Sequence, residues 1–334
     1  MKAWPARYAG PMIAAAALLA TMPIAAPAQT SERCPALRWT TLGTAGGPVP
    51  TPDRSEPANL LLAGDRPILV DTGDGTVGQL ARIGLDMRTI RTVFISHLHL
   101  DHSGGLAAVI GLRWMNQFPG QLTVYGPPGI KAMVDGIVAS MAPPARIGFG
   151  LGVPPPDPAG SVRAVEISDG QVLDLDGGLR VHAVANSHFE HDGKADRANI
   201  SLSYRFSLGR RSITYTGDTG PSPAVTRLAE GSDMLVSEVI DLDRLVRDIA
   251  ARRVDASADM LASMQKHLAT HHLPPSDIGA MAASAKVGRV VLTHFAVPGA
   301  LSDSEPALRE GIGRHFAGPV DLARDLQSFD VGCR

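Results

Sequence analysis

Ser96-His97-Leu98-His99-Leu100-Asp101-His102 places three imidazoles and one carboxylate within six residues. It follows an apolar run, Thr92–Ile95, that reads as a buried strand, and precedes Gly104–Ile110, which begins a helix. The cluster therefore lies on a strand-to-helix connection. Packing alone explains it poorly, because burying four polar groups together is costly without partners or a metal. His97 and His99, two apart on extended chain, project to one side and can share an ion. Asp101 and His102, where the chain turns into its helix, can face a second. Zinc suits imidazole and carboxylate donors, and iron or manganese accept the same set.

The rest of the 334-residue chain frames that cluster. Its 11 histidines begin only at His97, the net charge is −2, and 44% of residues are hydrophobic. Such a composition is that of a folded globular protein with chain enough for a large core. The near-neutral balance and few aromatics leave no footprint of a nucleic-acid groove. Thirty-five glycines and 26 prolines indicate many loops rather than a helical bundle.

Residues 1–28 read as a secretory signal peptide. Lys2 and Arg7 start it, an Ala/Leu-rich run follows, and Ala26-Pro27-Ala28 gives a small-x-small cleavage pattern. Its removal from 334 residues would leave 306 and take the net charge from −2 to −4. Pro23 and the shortness of the run oppose a membrane anchor. The expected location is periplasmic or secreted, without stable membrane association after cleavage. There, Cys34 and Cys333, at the two ends of the mature chain, can form a disulfide or remain two free thiols.

Downstream of the leader, Ala58–Ala63 and Ile68–Val70 read as a hairpin, Val77–Ile83 as a short helix, and Leu122–Tyr125 as a strand. Ile130–Ser140 is an amphipathic helix, and Met141–Gly160 an irregular crossover. Val162–Ile167, Gln171–Leu175, Leu179–Ala185, Ile200–Leu208 and Ser212–Thr216 are strands at hairpin spacing. Met234–Val239 is another strand, Leu242–Leu268 is mostly helical, and a helix at Pro275–Ala285 leads into the strand Arg289–Thr293. Two comparable halves, about 36–165 and 166–334, suggest an α+β sandwich with sheets inside and helices outside, in one domain over 29–334.

The H-x-H-x-D-H pattern after an apolar strand resembles the signature of the metallo-β-lactamase superfamily, and other motifs follow in that family's order. Val70-Asp71-Thr72-Gly73 resembles its early strand end, whose Asp supports the metal loop. His188 looks like the third ligand of the first metal, with His191 as the rival. Asp218, in Tyr215-Thr216-Gly217-Asp218-Thr219, resembles its bridging aspartate, and His294, in Leu292-Thr293-His294-Phe295, its last histidine. The resemblance implies a four-layer αββα fold. It also implies two zinc ions, one on His97, His99 and His188 and one on Asp101, His102 and His294. Asp218 and a hydroxide would bridge them, since two cations about 3.5 Å apart need anionic ligands between them.

Within the superfamily the chain resembles the ribonuclease Z and arylsulfatase-like branch. Asp233–Glu238 resembles a strand ending in His-Glu-Ala-Thr, and His272, 22 residues before His294, resembles the His of a His-Ser-Thr motif. The resemblance casts Glu238 as the residue that orients His272, and His272 as the group assisting the leaving oxygen; His271 competes for that role. His182, His267 and His315 read as surface or packing residues. Departures are plain: His272-Leu273-Pro274 replaces His-Ser-Thr, and the 30 residues from His188 to Asp218 leave no room for a tRNA-gripping arm. The expectation is therefore a small-molecule substrate rather than nucleic acid, with a phosphodiester or sulfate ester ahead of a β-lactam or lactone. A non-catalytic metal- or ligand-binding module is the alternative of a different class. Substrate walls are expected from Gly111–Phe118 with Arg113 and Trp114, from Ile130–Pro144, and from Leu273-Pro274. A homodimer is common in that branch.

Overall fold

A computed structural model describes residues 36–332 apart from 151, 153, 191–193, 195, 197, 254 and 255. The leader, Cys34, Cys333 and His191 lie outside the described residues. Fourteen strands form two sheets of seven among them. The first holds β1 (Leu37–Gly43), β2 (Ala58–Ala63), β3 (Arg66–Thr72), β4 (Thr92–Phe94), β5 (Leu122–Gly126) and β6 (Val162–Glu166). The second holds β7 (Val172–Leu175), β8 (Leu179–Ala185), β9 (Leu202–Leu208), β10 (Arg211–Tyr215), β11 (Met234–Ile240), β12 (Val290–Ala296) and β13 (Val320–Leu322). The last strand, β14 (Gln327–Val331), returns to pair with β1 in the first sheet, so the sequence halves and the sheets do not coincide.

Each sheet is part antiparallel and part parallel. The order β14-β1-β2-β3 runs antiparallel and β3-β4-β5-β6 parallel; β7-β8-β9-β10 runs antiparallel and β10-β11-β12-β13 parallel. The expected uninterrupted run of hairpins from 162 to 216 is thus corrected at its first member. β6 pairs parallel to β5, and the meander starts only at β7. The intervening crossover also carries a short helix, Ala142–Ile147.

Alternation of side chains explains the layers. On β1 and β2, Leu37, Trp39, Leu61 and Ala63 face inward to meet Val181, Tyr204, Phe206 and Tyr215 of the other sheet. Leu60 and Leu69, on the opposite face, pack on Leu80, Val109, Trp114 and Ile130 of the helices Thr76–Arg82, Leu106–Met115 and Ile130–Ser140. Leu235, Val290 and Leu292 do the same against Ile278, Met281, Leu308 and Ile312 of helices Pro275–Ser284 and Leu301–Gly313. Three apolar layers between four structural layers make the αββα sandwich. No described helix is long and apolar enough to cross a membrane.

Candidate metal centre

The parallel strands of both sheets end at one rim, and there the chemistry collects. Asp71 ends β3, Ser96 and His97 follow β4, Asp218 follows β10, Glu238 lies in β11 and His294 in β12. Asp71 and His294 adopt left-handed backbone, at φ 57° and 45°. That conformation is strained for a side-chain-bearing residue and is tolerated where the surroundings over-determine it. The β11–β12 register shifts there: between Leu292 and Phe295 of β12, Thr293 and His294 stand opposite Glu238 alone, a bulge that re-aims the His294 ring.

The histidine loop is pinned from both sheets. The Ser96 carbonyl accepts from the Leu202 amide (2.9 Å) and the Ile95 carbonyl from the Tyr204 hydroxyl (2.7 Å). Asp71 is its hub: the buried carboxylate accepts from the Ser96 amide (2.7 Å), the Ser96 hydroxyl (2.8 Å), the Tyr215 hydroxyl (2.7 Å) and His102 Nδ1 (2.8 Å). The last of these bonds leaves His102 Nε2 pointing inward. After His99 the chain turns through a single helical turn, Leu100–Ser103, which carries Asp101 and His102.

Two clusters result. His97 Nε2 lies 3.0 Å from His99 Nδ1, and His188 Nε2 lies 3.3 Å from the same atom. His188 is aimed by the His271 carbonyl, which accepts from its Nδ1 at 2.9 Å, and by Asn186 Oδ1, which accepts from its amide. In the second cluster Asp218 Oδ1 is 3.3 Å from His102 Nε2 and Asp218 Oδ2 is 3.2 Å from His294 Nε2. Asp101 Oδ2 stands 3.5 Å from both rings. The ligand atoms of each group fall within 4.8 Å of one another.

The donor set fits a pair of cations. His102 Nε2, His294 Nε2 and Asp218 Oδ1 are buried without a hydrogen-bond partner, which is costly unless something of opposite demand sits among them. Burial drives the His97 imidazole well below its usual range and His188 down to about 3, so these rings are neutral donors. Burial also opposes charge on Asp101, but the neighbouring His294 and His102 imidazoles outweigh it and hold the carboxylate at about 2.

Beside the clusters, His272 Nδ1 donates to Glu238 Oε2 at 2.7 Å, and Glu238 Oε1 accepts from the Thr219 amide at 2.6 Å. Burial depresses His272, yet the Glu238 carboxylate outweighs it and brings the imidazole up to about 9. His271 takes another part: its Nε2 faces the Glu190 carbonyl at 2.7 Å while its own carbonyl holds His188.

A cavity of about 900 Å³ opens over both clusters, lined among others by His99, Asp101, His188, Asp218 and His272. Its walls differ from those expected. Arg113 is buried and donates to the Met87 carbonyl at 2.6 Å, Trp114 donates to the Pro156 carbonyl at 2.8 Å, and Leu273 is buried in the outer core of the second sheet. None of these, nor the helix Ile130–Ser140, lines the cavity. They are replaced by Gly47-Pro48, Glu56, Asp74, Leu100 and Phe189, with His267, which was expected to be surface or packing. The signal for part of this was present in Gly46-Gly47-Pro48. A Cβ on Gly47 would collide with the Asp101 side chain, so only glycine lets the loop approach that residue.

A family model described as Beta-lactamase superfamily domain matches residues 66–295. A ribonuclease Z of Mycobacterium marinum is 32% identical over 304 residues, covering 88% of this chain and 99% of that protein. One of Mycobacterium avium is 33% identical over 301 residues, covering 87% and 97%. Among solved structures, a metallo-beta-lactamase fold protein of Bacillus subtilis superposes with TM-score 0.64 at 17% identity, over 89% of this chain and all of the other. The short form of human tRNase Z does so with 0.59 at 22% identity, over 87% and 98%. Zinc-bound PqqB of Methylobacterium extorquens gives 0.61 at 18%, over 88% and 100%.

Proposed function

The chain belongs to the metallo-β-lactamase superfamily and is a metal-dependent hydrolase resembling ribonuclease Z; from that premise we propose that it hydrolyses small phosphodiester or sulfate esters at a dinuclear zinc centre, outside the cytoplasm. The observation that carries the reading is His272, which lines the same cavity as the two clusters with its Nδ1 held 2.7 Å from the buried Glu238. His97, His99 and His188 would hold one ion, Asp101, His102 and His294 the other, and Asp218 both. Bound there, the metal pair would supply charge stabilisation and a water acidic enough to ionise near neutral pH.

The protein groups divide the remaining work. Asp101, kept ionised by His294 and His102, accepts a hydrogen bond from the attacking water and orients it. Glu238 fixes the His272 tautomer through Nδ1, so that Nε2 is the nitrogen offered to substrate. There the imidazolium gives its proton to the departing oxygen. An alkoxide or aryloxide leaving group needs such an acid, which favours an ester. Short connections from His188 to Asp218, and a cavity with no Lys or Arg among its described lining residues, support a small substrate over tRNA.

A parallel screen of chromogenic phosphodiester, aryl sulfate, lactone and cephalosporin substrates tests the assignment. Turnover of the first or second is expected, lost with His272→Ala. Turnover of the cephalosporin or lactone alone would overturn it.

A further inference from the structure

Of the four acids in the cavity's described lining, the metal scheme leaves Glu56 and Asp74 without a task, and Glu56 is the buried one. It follows β1 on a loop tied across to the second sheet. Ala45 donates to the Ser55 carbonyl, and Gly46 to the Phe295 carbonyl. Two glycines clamp it. A Cβ on Gly43 would strike the Glu56 carbonyl, and one on Gly73 would lie 2.6 Å from the Glu56 Cβ. The side chain is therefore placed rather than loose, and only 9% of the residue is exposed. Its Oε2 is buried with no hydrogen-bond partner, although the residue lines the cavity. Glu56 belongs to neither ligand cluster.

A buried carboxylate oxygen with no partner costs free energy unless a ligand brings a donor or a positive charge. The cavity's described lining holds Glu56 and Asp74, with Phe189 and His267, and no Lys or Arg. Such a wall repels a polyanion and suits a cation, which gains from the carboxylates by charge and from an aromatic face by its quadrupole. The metal centre takes the anionic part of an ester, and the unused acids beside it ask for the opposite charge.

We propose that Glu56, with Asp74 near it, is a specificity determinant that selects zwitterionic phosphodiesters, those whose alcohol portion carries an organic ammonium group. This rests on the phosphodiester reading above. Glu56 contacts the ammonium and takes no part in bond breaking; the cleaved bond remains the ester P–O bond, with water as the incoming group.

The test compares p-nitrophenyl phosphorylcholine with p-nitrophenyl ethyl phosphate on the metal-loaded full chain, in wild type, Glu56→Gln and Asp74→Asn. Calorimetry with choline chloride gives a readout independent of turnover. The wild type is expected to favour the choline ester in kcat/KM by about tenfold or more, the scale of one favourable ion contact in a partly desolvated site. Glu56→Gln should abolish that preference through KM, leaving kcat on the ethyl ester unchanged, and should abolish choline binding; Asp74→Asn should reduce both less. Equal rates on the two esters, or a preference that survives Glu56→Gln, would overturn the inference while leaving the phosphodiester reading standing. If neither ester turns over but choline binds in a Glu56-dependent way, the ammonium site stands and the phosphodiester reading falls. No turnover and no choline binding overturns both.

Discussion

The two ligand clusters lie side by side and are made of opposite materials. His97, His99 and His188 are three imidazoles that burial holds unprotonated. Asp101, His102, Asp218 and His294 include two carboxylates. Burial there opposes charge on His102 and His294, but Asp218 and its neighbours outweigh it and raise both rings. Without metal, the second cluster is balanced by protons and the first carries no charge to balance. A cation entering the second cluster must displace protons, so its affinity falls as pH falls; entry to the first displaces none but finds no anion except Asp218. On the proposed two-ion scheme, this asymmetry would make Asp218 the residue on which both ions depend.

Removing it should therefore do the most damage. Asp218→Ala is expected to lower metal content at both positions and reduce kcat on the order of 10⁴-fold, several kcal/mol of charge stabilisation. If the variant keeps both ions, the shared role is wrong. His272→Ala should come next, reducing kcat on the order of 10³-fold with metal content intact. His272 is raised to about 9, so its acid form is present below that value and lost above it. Wild-type kcat should fall as pH rises, with a midpoint no higher than about 9 because bound cations push the imidazole down, and Ala at this position should erase that limb.

Asp71→Asn separates the clusters more gently. The amide cannot accept from all of Ser96, Tyr215 and His102, so metal affinity should drop about 10- to 100-fold at the His102 position and little at the His97 position. Equal losses at both, in a two-site titration, would contradict the division. Smallest is Trp114→Phe. It loses one hydrogen bond to the Pro156 carbonyl, which should cost about 1 kcal/mol in urea unfolding and leave kcat/KM unchanged. A change in KM would put Trp114 back on a substrate wall.

The same contrast separates what was readable in the sequence from what was not. Ligand residues cluster in short motifs at strand ends, where apolar runs stop and His or Asp begins, so the sandwich and the histidine loop were both legible. The cavity walls were not. Arg113 and Trp114 look like substrate groups in a list, but their donors are consumed by the carbonyls of Met87 and Pro156. Glu56 and Phe189 reach the cavity through loops whose course depends on contacts between the sheets. Likewise β6 and β14 have ordinary strand patterns, and nothing local in them states which sheet they join.

Metal content is the most direct test of the centre. Full-length protein, saturated with zinc at neutral pH and freed of excess, should carry two ions per chain by elemental analysis. Lowering the pH should remove the ion of the carboxylate-bearing cluster as His102 and His294 regain their protons. A saturated sample holding one ion or none per chain would contradict the two-cluster account.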